Sequence, residues 1–182
     1  MDNEGGFIVT WQDNRNGEGD IYAQRYLHNG VPQLNNFRVN DDDGQNIQES
    51  PAVTCDKNGY FVIVWEDERM QNPMIFAQSF YPDGTKNGNN FAVSSESEEA
   101  FQPKVAISEN GFFIIVWCSM INRNYNIYAQ KFHIDGTKDG SKFKVVPLQE
   151  NISKSPFDVG GVNSDIRTDE ILDFIRESRE ID

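Results

Sequence analysis

One sixteen-residue stretch occurs three times in this chain, and that recurrence constrains the fold more than any other feature. Trp11 to Tyr26 reads WQDNRNGEGDIYAQRY, Trp65 to Phe80 reads WEDERMQNPMIFAQSF, and Trp117 to Phe132 reads WCSMINRNYNIYAQKF. From Trp to the following Ile is ten residues in every copy, at 11 to 21, 65 to 75 and 117 to 127. From that Ile to a turn glycine (Gly30, Gly84, Gly136) is nine, and from the glycine to a Phe (Phe37, Phe91, Phe143) is seven. Length varies only from that Phe to the next proline, being fourteen residues to Pro51, twelve to Pro103 and thirteen to Pro156. The step from proline to the next Trp is again fixed, at fourteen. A period of 52 to 54 residues whose length variation sits in a single connection marks a stacked or radial repeat architecture.

Within each period the pattern predicts four short strands. In the middle copy these are Pro51 to Cys55, Tyr60 to Trp65, Ile75 to Phe80 and Phe91 to Ser94. The runs YFVIVW and FFIIVW are β-branched and aromatic and apolar on both faces, which suits a strand covered on both sides by neighbouring layers. IYAQRY, IFAQSF and IYAQKF mix small, aromatic and polar residues and are expected nearer the rim. Between the strands stand Asp56 to Gly59, Pro82 to Gly84 and Asp135-Gly136, residues that tolerate the positive φ of tight connections. The result is a meander of antiparallel strands, with helical periodicity appearing only after residue 160.

The repeat breaks after Pro156. SPFDV at 155–159 resembles SPAVT at 50–54, so it is expected to supply the strand that the first copy lacks, although Asp158 falls where Val53 and Val105 stand. Beyond it, Thr168 can cap a helix with Asp169 and Glu170 in its first turn and Arg176 and Arg179 near its end. Ile171, Leu172, Phe174 and Ile175 form its apolar stripe, directed at the repeat body or at another subunit. The expected organisation is a three-repeat β domain over 1–160, with repeats at about 1–49, 50–101 and 102–154 and a closing strand at 155–160, followed by a helical segment over 161–182.

Charge narrows the partners. Sixteen basic and twenty-nine acidic side chains give a formal net charge of −13, which repels phosphate backbones and anionic lipid, so nucleic acid is not an expected partner. No apolar run approaches the roughly 18 to 20 residues of a membrane helix, and membrane insertion is not expected. Met1 leads directly into DNEGGFIVTW, with neither the basic start nor the apolar run of a signal peptide. Cys55 and Cys118 occupy different positions in their repeats and fit no metal-ligand spacing, which favours two free thiols over a disulfide.

The combination of a GFxVxW run, WxDxR, a DIYAQR-type strand and a DGxxxGxxF tail resembles the repeats of bacterial secreted and cell-surface β-propeller proteins, over residues 2 to about 159. The first copy matches most fully, in Trp11, Asp13, Arg15, Gly17, Asp20 and IYAQRY; the second keeps Asp67 and Arg69 but has Met74 in place of Asp20, and the third has Ser119 and Ile121 in place of acid and base. The resemblance implies propeller-type blades, an extracellular or cell-surface location and no catalytic residue set. Propellers have four to eight blades, so three imply a second copy completing a six-bladed ring, or a longer protein. A β-trefoil or β-prism also has threefold pseudosymmetry and stands as the alternative fold.

In a meander, alternate connections emerge on the same side. The WxDxR loops and the connections of variable length therefore share one face, and loops on a rigid scaffold are where binding concentrates. The candidate ligand-binding residues there are Asp13, Arg15, Asp20, Asp67, Arg69 and Arg123, beside the acidic tracts Asp41 to Asp43 and Glu96, Glu98 and Glu99. Asp41, Asp42 and Asp43 offer oxygens to calcium but lack the alternating spacing and distal Glu of an EF-hand loop, so neither a metal nor any other cofactor is assigned. His28 and His133 stand at unmatched positions, away from any nucleophile motif. The expected function is a non-catalytic module, not an enzyme, that recognises a protein or a glycan through this face. The alternatives are a glycan-active hydrolase of propeller type, with carboxylates gathered at the ring centre, and a purely structural repeat that oligomerises.

Overall fold

The computed structural model describes residues 1–42, 44, 46–70 and 72–145, and within them the chain is all β, with no helix. The first repeat forms a three-stranded antiparallel sheet of β1 (Phe7–Asp13), β2 (Asp20–Tyr26) and β3 (Pro32–Arg38), in that order. The second forms a four-stranded sheet from β4 (Gln48–Cys55), β5 (Phe61–Asp67), β6 (Met74–Phe80) and β7 (Lys86–Ala92). The third repeats that order with β8 (Glu99–Ile107), β9 (Phe112–Ile121), β10 (Asn124–His133) and β11 (Lys138–Lys144). The three sheets are separate and do not close on one another. The expected closing strand and C-terminal helix lie outside the described residues.

Why the central strands are apolar on both faces is plain from the packing. Side chains alternate across a strand. Phe61, Ile63 and Trp65 of β5 join Ile21, Ala23 and Val39 of the first repeat in one core, while Val62 and Val64 join Phe113, Ile115 and Trp117 of the third in another. The second sheet is thus the filling of a sandwich, and both β5 and β6 are buried along their whole length. Aromatic pairs recur at fixed places: Phe61 stacks on Phe80 at 4.5 Å and Phe113 on Phe132 at 5.2 Å.

Two expectations change in detail. The fourth strand of the middle copy is Lys86–Ala92 rather than Phe91 to Ser94, because the polar run KNGNN pairs with β6 across a bulge. The polar residue of the IFAQSF-type strands does not mark a rim; it is a latch. Gln24, Gln78 and Gln130 each turn Nε2 toward the carbonyls of a bulge in the next strand, at Gln33 and Leu34, Asn87 and Gly88, and Asp139 and Gly140. The bulge residue has φ near 79° at Gly88 and 75° at Gly140, natural for glycine, but Leu34 holds φ 60° with a side chain.

Candidate functional site

The connections expected to share a face do so. Gln48 N–H donates to the Gly19 carbonyl at 2.7 Å, Glu68 N–H to Ile47 at 2.9 Å, and Asn72 Nδ2 to Glu96 at 3.2 Å, so successive loops are stitched along one edge of the stack. The described sequence candidates lie along this edge, and apart from Arg123 most of their polar groups are satisfied by neighbouring side chains.

Asp13 accepts the Trp11 indole N–H at 2.9 Å and the Arg15 backbone N–H at 3.0 Å, and it is gripped by the Arg15 guanidinium. Those bonds, the guanidinium's first, hold its carboxyl well below the usual carboxylate range. Arg15 lies over the Tyr22 ring at 4.3 Å. The second copy repeats the clamp in a buried setting: Asp67 is fully buried, accepts from Trp65 Nε1 at 2.8 Å and pairs with Arg69, which lies 4.3 Å over Phe76. Arg69 also reaches Asp41 at 2.8 Å and Asp42 at 3.8 Å. A guanidinium and the amides of Asn40, Asn46 and Gln48 therefore occupy the carboxylates considered for calcium, a donor set of N–H groups where calcium needs oxygens. Asp43 lies outside the described residues.

Asp20 is buried and holds Asn40 Nδ2 at 2.8 Å, Asn16 Nδ2 at 3.2 Å and Arg38 at 3.5 Å. Asn40 is the hub of this network. It also donates to Gln48 Oε1 at 2.8 Å and accepts the Ile21 N–H at 2.9 Å. In the next copy all three positions change together, to Met74, Ser94 and Ala100, leaving only Ser94 Oγ to accept the Ile75 N–H. That joint change is visible once the copies are aligned, and it is the signal by which Asn40 and Gln48 could have been found. Arg123 stands apart from the other candidates. It occupies the exposed tip of the β9–β10 hairpin, where Asn122 and Arg123 both take positive φ, 52° and 64°.

The third copy has lost Asp and Arg from its motif, yet a charge pair stands in the equivalent place. Glu98, almost fully buried, accepts from Ser119 Oγ at 2.9 Å and Lys142 Nζ at 2.6 Å, and Lys142 lies 4.9 Å from the Tyr128 ring. Burial pushes the Glu98 carboxyl up, but the bonds from Lys142, the Ser95 N–H and Ser119 together outweigh it and hold it below its ordinary value. The indole N–H of Trp117 has no hydrogen-bond partner among the described residues.

One pair of carboxylates was not singled out from the sequence. Glu49 and Glu66 stand directly opposite each other in the β4–β5 ladder, on the same face, where Cβ atoms are about 5 Å apart. Glu66 is buried and accepts the Gln102 N–H at 2.9 Å; Glu49 is half-exposed. Ser50 beside them and Gln102 at the equivalent bulge of β8 are non-glycine residues at φ 52° and 54°, each just before a proline, and such sparsely populated backbone collects at functional sites. Among the described residues no group of three or more His, Cys, Asp or Glu side chains is placed to hold a metal ion.

No family model and no curated protein matches the chain. Among solved structures it is similar to an endo-arabinase from Bacteroides thetaiotaomicron, at 14% identity and a TM-score of 0.48, over 75% of this chain and 55% of the arabinase chain. The expectation that the chain is not an enzyme is corrected on that finding, since the endo-arabinase is an enzyme. At this identity and TM-score the likeness assigns neither a reaction nor a substrate to this chain. Acids are plentiful throughout so acidic a chain, and which of them oppose each other depends on strand register, which the fold supplies.

Proposed function

We propose that the chain forms three blades of a propeller-type glycan hydrolase and that its reacting edge is the inner-strand end where Glu49 and Glu66 face each other. The observation that carries this reading is the opposed pair itself, one carboxylate buried and one reachable from solvent. Hydrolysis of a glycosidic bond needs two carboxyl groups in different settings, a protonated one to give its proton to the leaving oxygen and an ionised one to activate water or attack the sugar. Among the described residues no basic side chain pairs with Glu66, in contrast with Asp13, Asp67 and Glu98, whose lone pairs are committed to arginine or lysine. In this reading Glu66 is the acid and Glu49 the solvent-facing base or nucleophile.

The test is release of reducing ends from a panel of polysaccharides that includes an arabinan. Wild-type protein is expected to turn over at least one of them, and Glu66→Gln and Glu49→Gln each to lose roughly 100-fold or more, the usual contribution of a general acid or base. Absence of turnover across the panel, or full activity in both variants, would overturn the proposal.

A further inference from the structure

We infer that the two outer faces of the stack are the two halves of one interface and that a second copy of this chain fills both, head to tail. Each internal junction is built the same way. The forward face of one sheet presents an Ile and a Val whose backbones are joined by a hydrogen bond, Ile21 with Val39 and Ile75 with Val93. The backward face of the following sheet covers them with a stacked aromatic pair and a β-branched residue, Phe61, Phe80 and Ile63 in the first junction. Ile21, Val39 and Ile75 are fully buried in consequence, and Val93 nearly so.

The third sheet carries the same forward face with nothing over it among the described residues. Val145 N–H donates to the Ile127 carbonyl at 2.8 Å, as in the other two sheets, yet Ile127 is 42% and Val145 39% exposed. At the opposite end the first sheet carries the same backward face. Phe7 stacks on Tyr26 at 5.0 Å in the place of Phe61 and Phe80, and Val9, in the place of Ile63, is 42% exposed. Within the described residues there is thus a socket at one end of the stack and its matching plug at the other. Plug and socket on opposite ends of one molecule make a head-to-tail contact, which closes into a ring when the rotation allows. Two copies contribute six sheets, within the four to eight that close a propeller, and the ring uses the junction twice. Association opposes a net charge of −13 on each copy, so screening strengthens it.

Sedimentation and light scattering on the full chain test this without any substrate, so a failure of the hydrolase reading leaves the result interpretable. The expected mass is that of two chains at micromolar concentration, with tighter association at higher salt. Ile127→Asp and Val9→Lys change exposed side chains of the single chain; each is expected to weaken the dimer roughly 30-fold or more, as loss of a central apolar anchor does. Mixed together, the two variants are expected to pair with each other, because one junction of the mixed ring carries neither substitution and the other sets Lys against Asp. A monomer at all salt concentrations, an assembly larger than two chains, or dimers unaffected by both substitutions would overturn the inference. A monomer would mean that the exposed Ile and Val are covered by this chain's own residues beyond 145 or by further repeats of a longer protein.

Discussion

The second and third repeats solve the same electrostatic problem with different residues. In the second, acid and base lie two residues apart on one hairpin: Asp67 takes the indole N–H of Trp65 and the guanidinium of Arg69, and Arg69 stacks on Phe76. In the third, the hairpin offers only Ser119 and Ile121, so the carboxylate comes from the preceding connection, as Glu98, and the cation from the outer strand, as Lys142. The aromatic ring beneath the cation stays, as Tyr128. What differs is the indole. Trp65 keeps its acceptor, and the Trp117 N–H is left without one among the described residues. The place to be filled, beside a buried Trp at the loop edge, is set by the packing of the sheets, and the chain can fill it from any strand that reaches it.

Substitutions can break this comparison in order of size. Asp67→Ala leaves the buried Trp65 N–H unanswered and Arg69 with only the more exposed Asp41 and the distant Asp42, and is expected to cost about 3 kcal/mol, read as a lowered urea midpoint. Lys142→Met removes a partly exposed cation from Glu98 and is expected to cost less, about 1–2 kcal/mol. Its sharper signature is in acid. A carboxyl held below its ordinary value contributes stability above that value and loses it as pH falls through the folded-state pKa. Burial raises the Glu98 carboxyl and the Lys142 bond is the foremost of those that oppose it, so without Lys142 the acid-unfolding limb should move to higher pH. An unmoved limb would mean that Lys142 does not hold the Glu98 charge.

The two tryptophans give a smaller contrast. Trp65→Phe loses a hydrogen bond that Trp117→Phe does not, so the first should be the more costly by about 1 kcal/mol in parallel thermal melts. Equal costs would mean that the indole bond to Asp67 contributes little. Smallest of all are the bulge and hairpin positions. Leu34 is largely exposed at φ 60°, where the other two copies have glycine, and Arg123 holds φ 64° in a two-residue turn. Leu34→Gly and Arg123→Gly are each expected to raise stability by about 0.5–1 kcal/mol, by relieving a left-handed conformation that a side chain disfavours.

Much of the architecture was legible before any coordinates. Fixed spacings gave three units, the doubly apolar YFVIVW run predicted a strand buried on both sides, and DKNG predicted the turn in which Asp56 accepts the N–H groups of Asn58 and Tyr60. The loop edge was legible too, from the alternation of connections in a meander. The polar strand Lys86–Ala92 was not, because its pairing runs through the backbone and a bulge and leaves little trace in side-chain periodicity. Nor was the Glu98 to Lys142 replacement, whose members are 44 residues apart and belong to no motif. The opposition of Glu49 and Glu66 depends on register at the strand end beside Ser50, and a shift of one residue there would turn one of them to the other face.

The most direct test of the account is to compare reducing-end release by Asp13→Asn and Glu66→Gln on the glycan that the wild type turns over best. The first alters a carboxylate already committed to Trp11 and Arg15; the second alters one free of any such pair among the described residues. The account predicts near wild-type turnover for Asp13→Asn and loss of roughly 100-fold or more for Glu66→Gln, with both proteins folded by circular dichroism. The reverse pattern, with activity following Asp13 and indifferent to Glu66, would contradict it and move the chemistry to the WxDxR hairpins.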